Sequence, residues 1–315
     1  MKRYELDKAN MKNLTGIRIV AGEGVKLSNM SETNKIVEIH AVKGEARTEG
    51  YSSKYSKPII PAGYKYLDGK WNSGYTIERE SDGSRFVWVP VGDLSANATL
   101  DGIVFDEKFG RVNSMGLIFS PSKYHENINP ELLAQISSVK KHGGFYISAY
   151  NMSLGDDGNI HSIAGVKPMV DVSFHRAEDL AEKFERSKDV KSHLTYGAEY
   201  DTVCKWIEES GAKKRTDFTS NSMGWGNYKS MISDEPSKME LTGSREKWKV
   251  NGIYDLAGNV MEWTQESFGK FGARHITRGG AYFHSGLGFS AASRHAEDAR
   301  SIYPYVGFRV VLCIK

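Results

Sequence analysis

Cysteine and histidine are the residues of this chain that could carry redox or metal chemistry. The two cysteines, Cys204 and Cys313, share no metal-type or redox-type spacing. We interpret them as small apolar side chains. Of the nine histidines, His275, His284 and His295 lie in the C-terminal part, but they are too scattered to predict a metal triad. Solvated or partly packed histidine rings are the favoured interpretation.

The segment 281–306 is richer in side chains for recognition than in side chains for reaction. Aromatic residues stand among Gly, Ser and Ala without helical periodicity, which is the composition of an antibody-like binding loop. The alternative is that these aromatics pack the interior; we favour binding, with Ala292 and Ala299 as buried spacers. The predicted ligand-binding residues are Tyr282, Phe283, His284, Ser285, Leu287, Phe289, Ser293, His295, Asp298, Ser301, Tyr303 and Tyr305.

Size and composition predict a folded chain of one large domain or two. The 315 residues are 39% hydrophobic, which is enough for a sizeable core. The formal net charge of +3 is too close to balance to predict nucleic-acid binding. The N-terminus has no apolar stretch and no run reaches membrane-spanning length, so we predict neither a signal peptide nor a membrane span.

Short strands and three helices are the elements that must position the segment 281–306. Asn129 caps a predicted helix that ends at Gly143-Gly144. Ser173 caps a second helix, and a third runs from Thr195 to Glu209. Strands are predicted at residues 63–67, 75–78, 86–91 and 144–150, with more short strands from Asn251 onward. This mixture predicts the α+β class.

The polar N-terminal residues are predicted to form a small β-rich arm. Residues 17–20 and 36–39 are short β-type runs, and residues 43–57 have the composition of a linker. Such an arm is a candidate for homo-oligomerisation, which would add avidity.

Three motifs in the C-terminal third resemble one protein family. Asn251–Trp263 resembles the Asn-Val-Trp-Glu-Trp signature of the formylglycine-generating, or sulfatase-modifying factor, family. Arg278-Gly-Gly-Ala281 resembles its Arg-Gly-Gly-Ser strand, and Gly307-Phe-Arg309 resembles its closing Gly-Phe-Arg. The resemblance implies a C-type-lectin-like fold of the formylglycine-generating-enzyme type for residues 85–315. Residues 1–84 are then a small β-rich N-terminal extension with its linker.

Several motif residues have a structural interpretation. Trp263 and Phe308 are large aromatics suited to a core between short strands. Gly279-Gly280 permits positive φ or close backbone approach. Arg278 and Arg309 can hold loops through forked hydrogen bonds.

The oxidase activity of this family depends on two cysteine thiolates that bind copper, the second just before an arginine. Arg294 best matches that arginine, which puts the cysteine positions near Gly286 and Ala291. No cysteine occurs between Arg278 and Gly307, and Cu(I) needs soft ligands. The iron-dependent branch needs a His-x3-His-x-Glu motif, which is missing too. We therefore predict a protein that is not an enzyme and requires no cofactor.

One metal site is implied by the resemblance. The loop around Asn259 and Glu262 resembles a structural Ca²⁺ site of the family. The alternative is that Asn259 satisfies backbone groups in the turn while Glu262 pairs with an arginine. The sequence favours neither.

The composition of the segment 281–306 also resembles the variable region of the proteins that diversity-generating retroelements diversify. Randomising the adenines of asparagine codons gives codons that end in C or T. Every residue type present in the segment except Glu297 is encoded by such a codon. Lys, Met, Gln, Trp and Asn are missing from the segment.

We therefore expect a non-enzymatic ligand-binding protein that displays a diversified aromatic surface and is encoded by a prophage or a bacterium. The expected ligand is a protein or carbohydrate on a cell or phage surface. The expected location is the phage tail or the bacterial cytoplasm before assembly. The alternatives are an oxidase of the formylglycine-generating type, or a related sulfatase-modifying enzyme, with an atypical site, and a structural module.

Overall fold

A computed structural model of the chain describes residues 57–70, 73–91, 124–126, 128–230, 237–269 and 272–315, together with the backbone of residues 25–28 and 38–41. The chain divides into two compact units, Met1–Arg47 and Thr48–Lys315. In the first unit, strands β1 (Val25–Ser28) and β2 (Glu38–Ala41) pair antiparallel. The predicted β-type run at 17–20 and the linker up to residue 56 lie outside the described residues.

A six-stranded antiparallel sheet forms the base of the second unit. Its strands, in spatial order, are β10, β17, β7, β5, β4 and β3. Their bounds are β3 (Tyr64–Asp68), β4 (Thr76–Arg79), β5 (Arg85–Pro90), β7 (Gly144–Ser148), β10 (Val190–Leu194) and β17 (Val310–Ile314). β3 and β4 belong to this sheet, whereas the predicted domain boundary after residue 84 assigns them to the N-terminal arm. The division lies after Arg47 instead.

Helix ends follow the capping residues that the sequence indicates. Helix α1 (Pro130–His142) begins where Asn129 Oδ1 accepts the Leu132 N–H at 2.9 Å, and it ends at Gly143 with φ 81°. Helix α2 (Phe174–Phe184) is capped by Ser173 as predicted. Helix α3 (Gly197–Glu209) begins two residues later than predicted, since the Glu199 carboxylate caps Tyr196 N–H at 2.9 Å. The short helix α4 (Arg215–Thr219) follows it.

A second sheet carries the C-terminal motifs. It has the strand order β15-β14-β13-β16, with β13 and β16 parallel, and β6 also pairs with β13. Two short hairpins, β8 with β9 and β11 with β12, complete the strands of the described residues. The bounds are β6 (Tyr124–His125), β8 (Ser153–Leu154), β9 (Ile160–His161), β11 (Lys249–Val250), β12 (Ile253–Tyr254), β13 (Met261–Phe268), β14 (Arg274–Arg278), β15 (His295–Asp298) and β16 (Val306–Phe308).

Core packing agrees with the structural interpretation of the motifs. Trp263 and Phe308 are completely buried, and Trp263 Nε1 donates to the Val172 carbonyl at 2.9 Å. Arg309 joins both sheets because its guanidinium donates to Glu262 Oε1 at 2.7 Å, to Ser148 O at 3.0 Å and to a carbonyl of β12. Among the described residues, no helix is long and apolar enough to cross a bilayer.

Two glycines start the segment 281–306 in a conformation that side chains disfavour. Gly279 and Gly280 have φ of 91° and 74°. A Cβ added to Gly280 would lie 2.5 Å from the Phe289 carbonyl oxygen. The glycine pair therefore has the positive φ that was predicted, and Gly280 also has the close backbone approach.

Candidate ligand-binding surface

The segment 281–306 has a buried centre. Residues 290–294, which we term the anchor, are each at most 5% exposed. Arg294 Nε lies 3.0 and 2.9 Å from the two carboxylate oxygens of Glu266 on β13, and its Nη2 pairs with Asp201 on α3. Arg278 at the end of β14 completes the group, with Nη2 2.7 Å from Asp201 Oδ1. These two arginines and two carboxylates are all buried, so each charge is compensated by the opposite charges beside it rather than by water.

The residues on both sides of the anchor form two arms that are exposed or half-buried, apart from the buried Gly286 and Ala299. The first arm is residues 282–289 and the second is residues 295–305. Phe283 and Leu287 on the first arm are 37% and 53% exposed. Ile302 on the second arm is 60% exposed, yet sequence reasoning missed it. Its only sequence signal is an aliphatic side chain between polar Ser301 and aromatic Tyr303.

Aromatic rings from both arms meet in one continuous cluster. The centroid distances are 5.2 Å for Tyr282–Phe283, 5.0 Å for Phe283–Tyr305 and 5.6 Å for Tyr303–Tyr305. From Phe283 the cluster continues to His284 at 4.2 Å, then to Phe289 at 3.6 Å and to His295 at 4.6 Å. None of the rings is fully buried. We term these rings the aromatic cluster: Tyr282, Phe283, His284, Phe289, His295, Tyr303 and Tyr305.

The remaining predicted ligand-binding residues lie outside the aromatic cluster. Ser293 is buried, with Oγ 3.0 Å from Ser290 Oγ, so it is corrected from a surface residue to a part of the anchor. Ser285 Oγ accepts the Leu287 N–H at 3.3 Å, which shapes the turn of the first arm. Asp298 is exposed at the end of β15, and the half-buried Ser301 donates its N–H to the Asp298 carbonyl at 3.2 Å.

A loop outside the segment borders the first arm, and sequence reasoning missed it. This flanking loop, residues 220–230, donates Lys229 N–H to the His284 carbonyl at 2.9 Å and Ser222 N–H to the Gly286 carbonyl at 3.0 Å. A Cβ at Gly286 would lie 2.7 Å from Met223 N. The side chain of Lys229 is exposed beside this contact. No local sequence signal marks the loop, because its contacts join residues more than fifty positions apart.

The histidines of the aromatic cluster are neutral at pH 7. Burial, and then the neighbouring His295 ring, lower the pKa of His284 to about 4. Burial also lowers the pKa of His295. His284 Nδ1 accepts the Ala281 N–H at 3.1 Å, so its proton resides on Nε2. The surface therefore presents uncharged rings with the exposed cation of Lys229 and the exposed anion of Asp298 at its edges.

The model of the sulfatase-modifying factor enzyme 1-like domain family matches residues 138–314, which is more than half of the chain. The chain belongs to this family. Membership and the mixed helix–strand architecture confirm the predicted α+β fold of the formylglycine-generating-enzyme type. No curated protein matches the sequence.

The chain also shows similarity to solved structures. The chain is 16% identical to CarF with a TM-score of 0.41, over 55% of this chain and 87% of CarF. It is 15% identical to PvdO from Pseudomonas aeruginosa with a TM-score of 0.40, over 54% and 81%. It is 16% identical to Treponema denticola variable protein 1 with a TM-score of 0.31, over 82% and 94%.

Both thiols of the chain belong to core side chains. Burial raises the pKa of Cys204 to about 12 and the pKa of Cys313 to about 11, so both are protonated at neutral pH. Cys204 lies on α3 and Cys313 on β17, and both are buried. The resemblance implies cysteine positions near Gly286 and Ala291, and the segment between Arg278 and Gly307 contains no cysteine.

The contacts of Asn259 and Glu262 do not fit the calcium site that the family implies. Asn259 Oδ1 accepts hydrogen bonds from Asn227 Nδ2 and Glu240 N–H, both at 3.0 Å. Glu262 Oε1 accepts from Asn151 Nδ2 at 2.8 Å and from the Arg309 guanidinium at 2.7 Å. A cation here would compete with the positive charge of that arginine. Asn259 thus stabilises a turn and Glu262 belongs to an ion pair.

Proposed function

We propose that this chain is a non-enzymatic ligand-binding protein whose recognition surface is the aromatic cluster with the flanking loop at its edge. The observation that carries the proposal is the meeting of rings from two arms, half-exposed, over a buried ionic anchor. Rigid aromatics supply large contact area with few rotatable bonds, and they dominate the energetics of many interfaces. The anchor holds the two arms in register, which limits the entropy lost on binding.

The enzymatic alternative has less support. A formylglycine-generating oxidase needs thiolates beside its substrate, and here both thiols are protonated and buried in the core. Copper-dependent oxidation of a cysteine-containing peptide by the purified protein would contradict the binding proposal and favour this alternative.

We propose further that the segment 281–306 is the variable region of a retroelement target. Its residue types, with Glu297 as the exception, follow adenine-randomised asparagine codons. The test is the genomic neighbourhood. We expect a nearby reverse-transcriptase gene and a near-copy of this segment that differs at adenines. Identical arms in close relatives would contradict diversification.

The partner is proposed to be a protein or carbohydrate on a cell or phage surface. Stacked and edge-on aromatics suit both classes, whereas the net charge of +3 gives no reason to propose nucleic acid. We also propose that the N-terminal arm supports a homo-oligomer and that the protein acts in a phage tail, with the bacterial cytoplasm as its location before assembly.

Binding is tested by screening arrays of purified surface proteins and glycans at pH 7. We expect wild type to bind a defined array member, and the quadruple variant Tyr282→Ala, Phe283→Ala, Tyr303→Ala, Tyr305→Ala to lose at least about 100-fold in affinity, as for hot-spot residues. The matched control is Leu154→Ala, which removes an exposed side chain of β8. Unchanged binding by the quadruple variant would contradict the proposed surface.

A further inference from the structure

Three rings of the aromatic cluster form a parallel stack. His284 and Phe289 lie 3.6 Å apart with an interplanar angle of 10°, and Phe289 and His295 lie 4.6 Å apart at 16°. The two imidazoles are therefore 6.3 Å from each other on the two arms. The stack joins the first arm to the second through neutral rings.

A backbone hydrogen bond requires His284 to stay unprotonated at Nδ1. The Ala281 N–H donates to this nitrogen at 3.1 Å. An imidazolium carries protons on both nitrogens and cannot accept a hydrogen bond. Protonation of His284 must therefore break this bond and leave the buried Ala281 N–H without this partner.

Groups that face the stack come from several elements. Lys229 of the flanking loop donates its backbone N–H to the His284 carbonyl, and burial and then the His295 ring of the second arm lower the pKa of His284. From the second arm, Glu297 on β15 accepts a hydrogen bond from the Tyr303 hydroxyl, and the Tyr305 ring lies 6.4 Å from His284. Asp298 is exposed at the end of β15. In the described part of the chain, no carboxylate contacts the His284 ring to stabilise its charged form.

We infer that the recognition surface is acid-sensitive, in that protonation of His284 opens the ring stack, releases the first arm and weakens ligand binding. The effect on binding rests on the proposed function, but the opening of the stack does not.

The direction of the pH effect on opening follows from the lowered pKa of His284. A histidine with pKa about 4 in the closed surface and 6.5 in an open one favours opening on acidification. The closed surface has its full stability above pH 6.5 and loses it as the pH falls toward 4. Allowing for solvent screening of a half-buried ring, opening at pH 5 increases roughly tenfold over pH 7.

Hydrogen exchange by mass spectrometry at pH 7 and pH 5, with times scaled to the intrinsic exchange rate, tests the opening without a ligand. We expect residues 281–289 to lose roughly tenfold protection at pH 5, while residues 130–142 of α1 stay unchanged. His284→Asn keeps an acceptor but does not titrate, so its protection should be pH-independent. Equal wild-type protection at both pH values, an equal loss in α1, or persistent pH dependence in His284→Asn would overturn the inference.

A second measurement covers the case in which His284→Asn fails to fold. In the wild-type protein, NMR should show the His284 ring titrating below pH 5, together with a shift of the Ala281 amide. A ring pKa at or above 6.5 would overturn the inference. The array screen at pH 7 tests the proposed function separately, because no step of the acid response enters it.

Discussion

Arg294 is the residue on which the shape of the surface depends. It stands in the middle of a segment with a recognition composition, yet its guanidinium is buried between Glu266 and Asp201. Removing one arginine from a buried group of ion pairs leaves the carboxylates with less positive charge to compensate them. This lowers the stability of the fold more than the loss of a surface charge does. We therefore expect Arg294 to stay constant within the proposed variable region.

We expect Arg294→Met to lower the free energy of unfolding by about 3–5 kcal/mol, because Asp201 and Glu266 lose a shared cation. Arg300→Met, which changes an exposed arginine of the same segment, should alter it by less than about 0.5 kcal/mol. Urea denaturation monitored by tryptophan fluorescence measures both. Similar unfolding free energies for the two variants would show that the buried charge cluster contributes little.

At the scale of elements, the six-stranded sheet includes β3 and β4, which the sequence alone assigned to the N-terminal arm. Ile77 on β4 is completely buried, and the Tyr64 ring meets Phe86 edge-on at 6.1 Å. These contacts make the first hairpin of the sheet a part of the core. Its removal exposes one edge of β5.

A truncation therefore distinguishes the two domain boundaries. We expect residues 48–315 to unfold cooperatively on heating, and residues 85–315 to lack a cooperative transition because Phe86 and Val87 lose their neighbours on β4. Circular dichroism melts of the two purified chains provide the measurement. A cooperative transition of 85–315 at the same temperature would support the boundary after residue 84.

Local signals in the sequence predicted elements well, and long-range contacts were not predictable. Asn129 and Gly143 define a helix by their own backbone and side-chain chemistry, so α1 was correct at both ends. The pairing of β4 with β5, and of Lys229 with His284, depends on residues brought together only by the fold. Composition singled out the segment 281–306 as the proposed recognition segment, but not the distant partners Asp201 and Glu266 that hold its buried centre.

At the scale of the whole molecule, this chain differs from the oxidases of its family, which use reactive thiolates. Both of its thiols are protonated, and its segment 281–306 carries aromatic side chains. The segment 281–306 follows β14 and ends at the first residue of β16, and both of these strands pair with β13, so both ends of the segment are fixed to the same sheet. Such a support tolerates changes in the exposed arms, because the core does not depend on Phe283, Leu287 or Ile302.

The most direct test of this account is a crystal structure of the protein with the array member it binds. We predict that the ligand contacts at least three rings of the aromatic cluster, including Phe283 and Tyr305, within about 4 Å, and that Met223 or Lys229 of the flanking loop lies at its edge. A ligand seated elsewhere, with the rings of both arms still facing solvent, would contradict it.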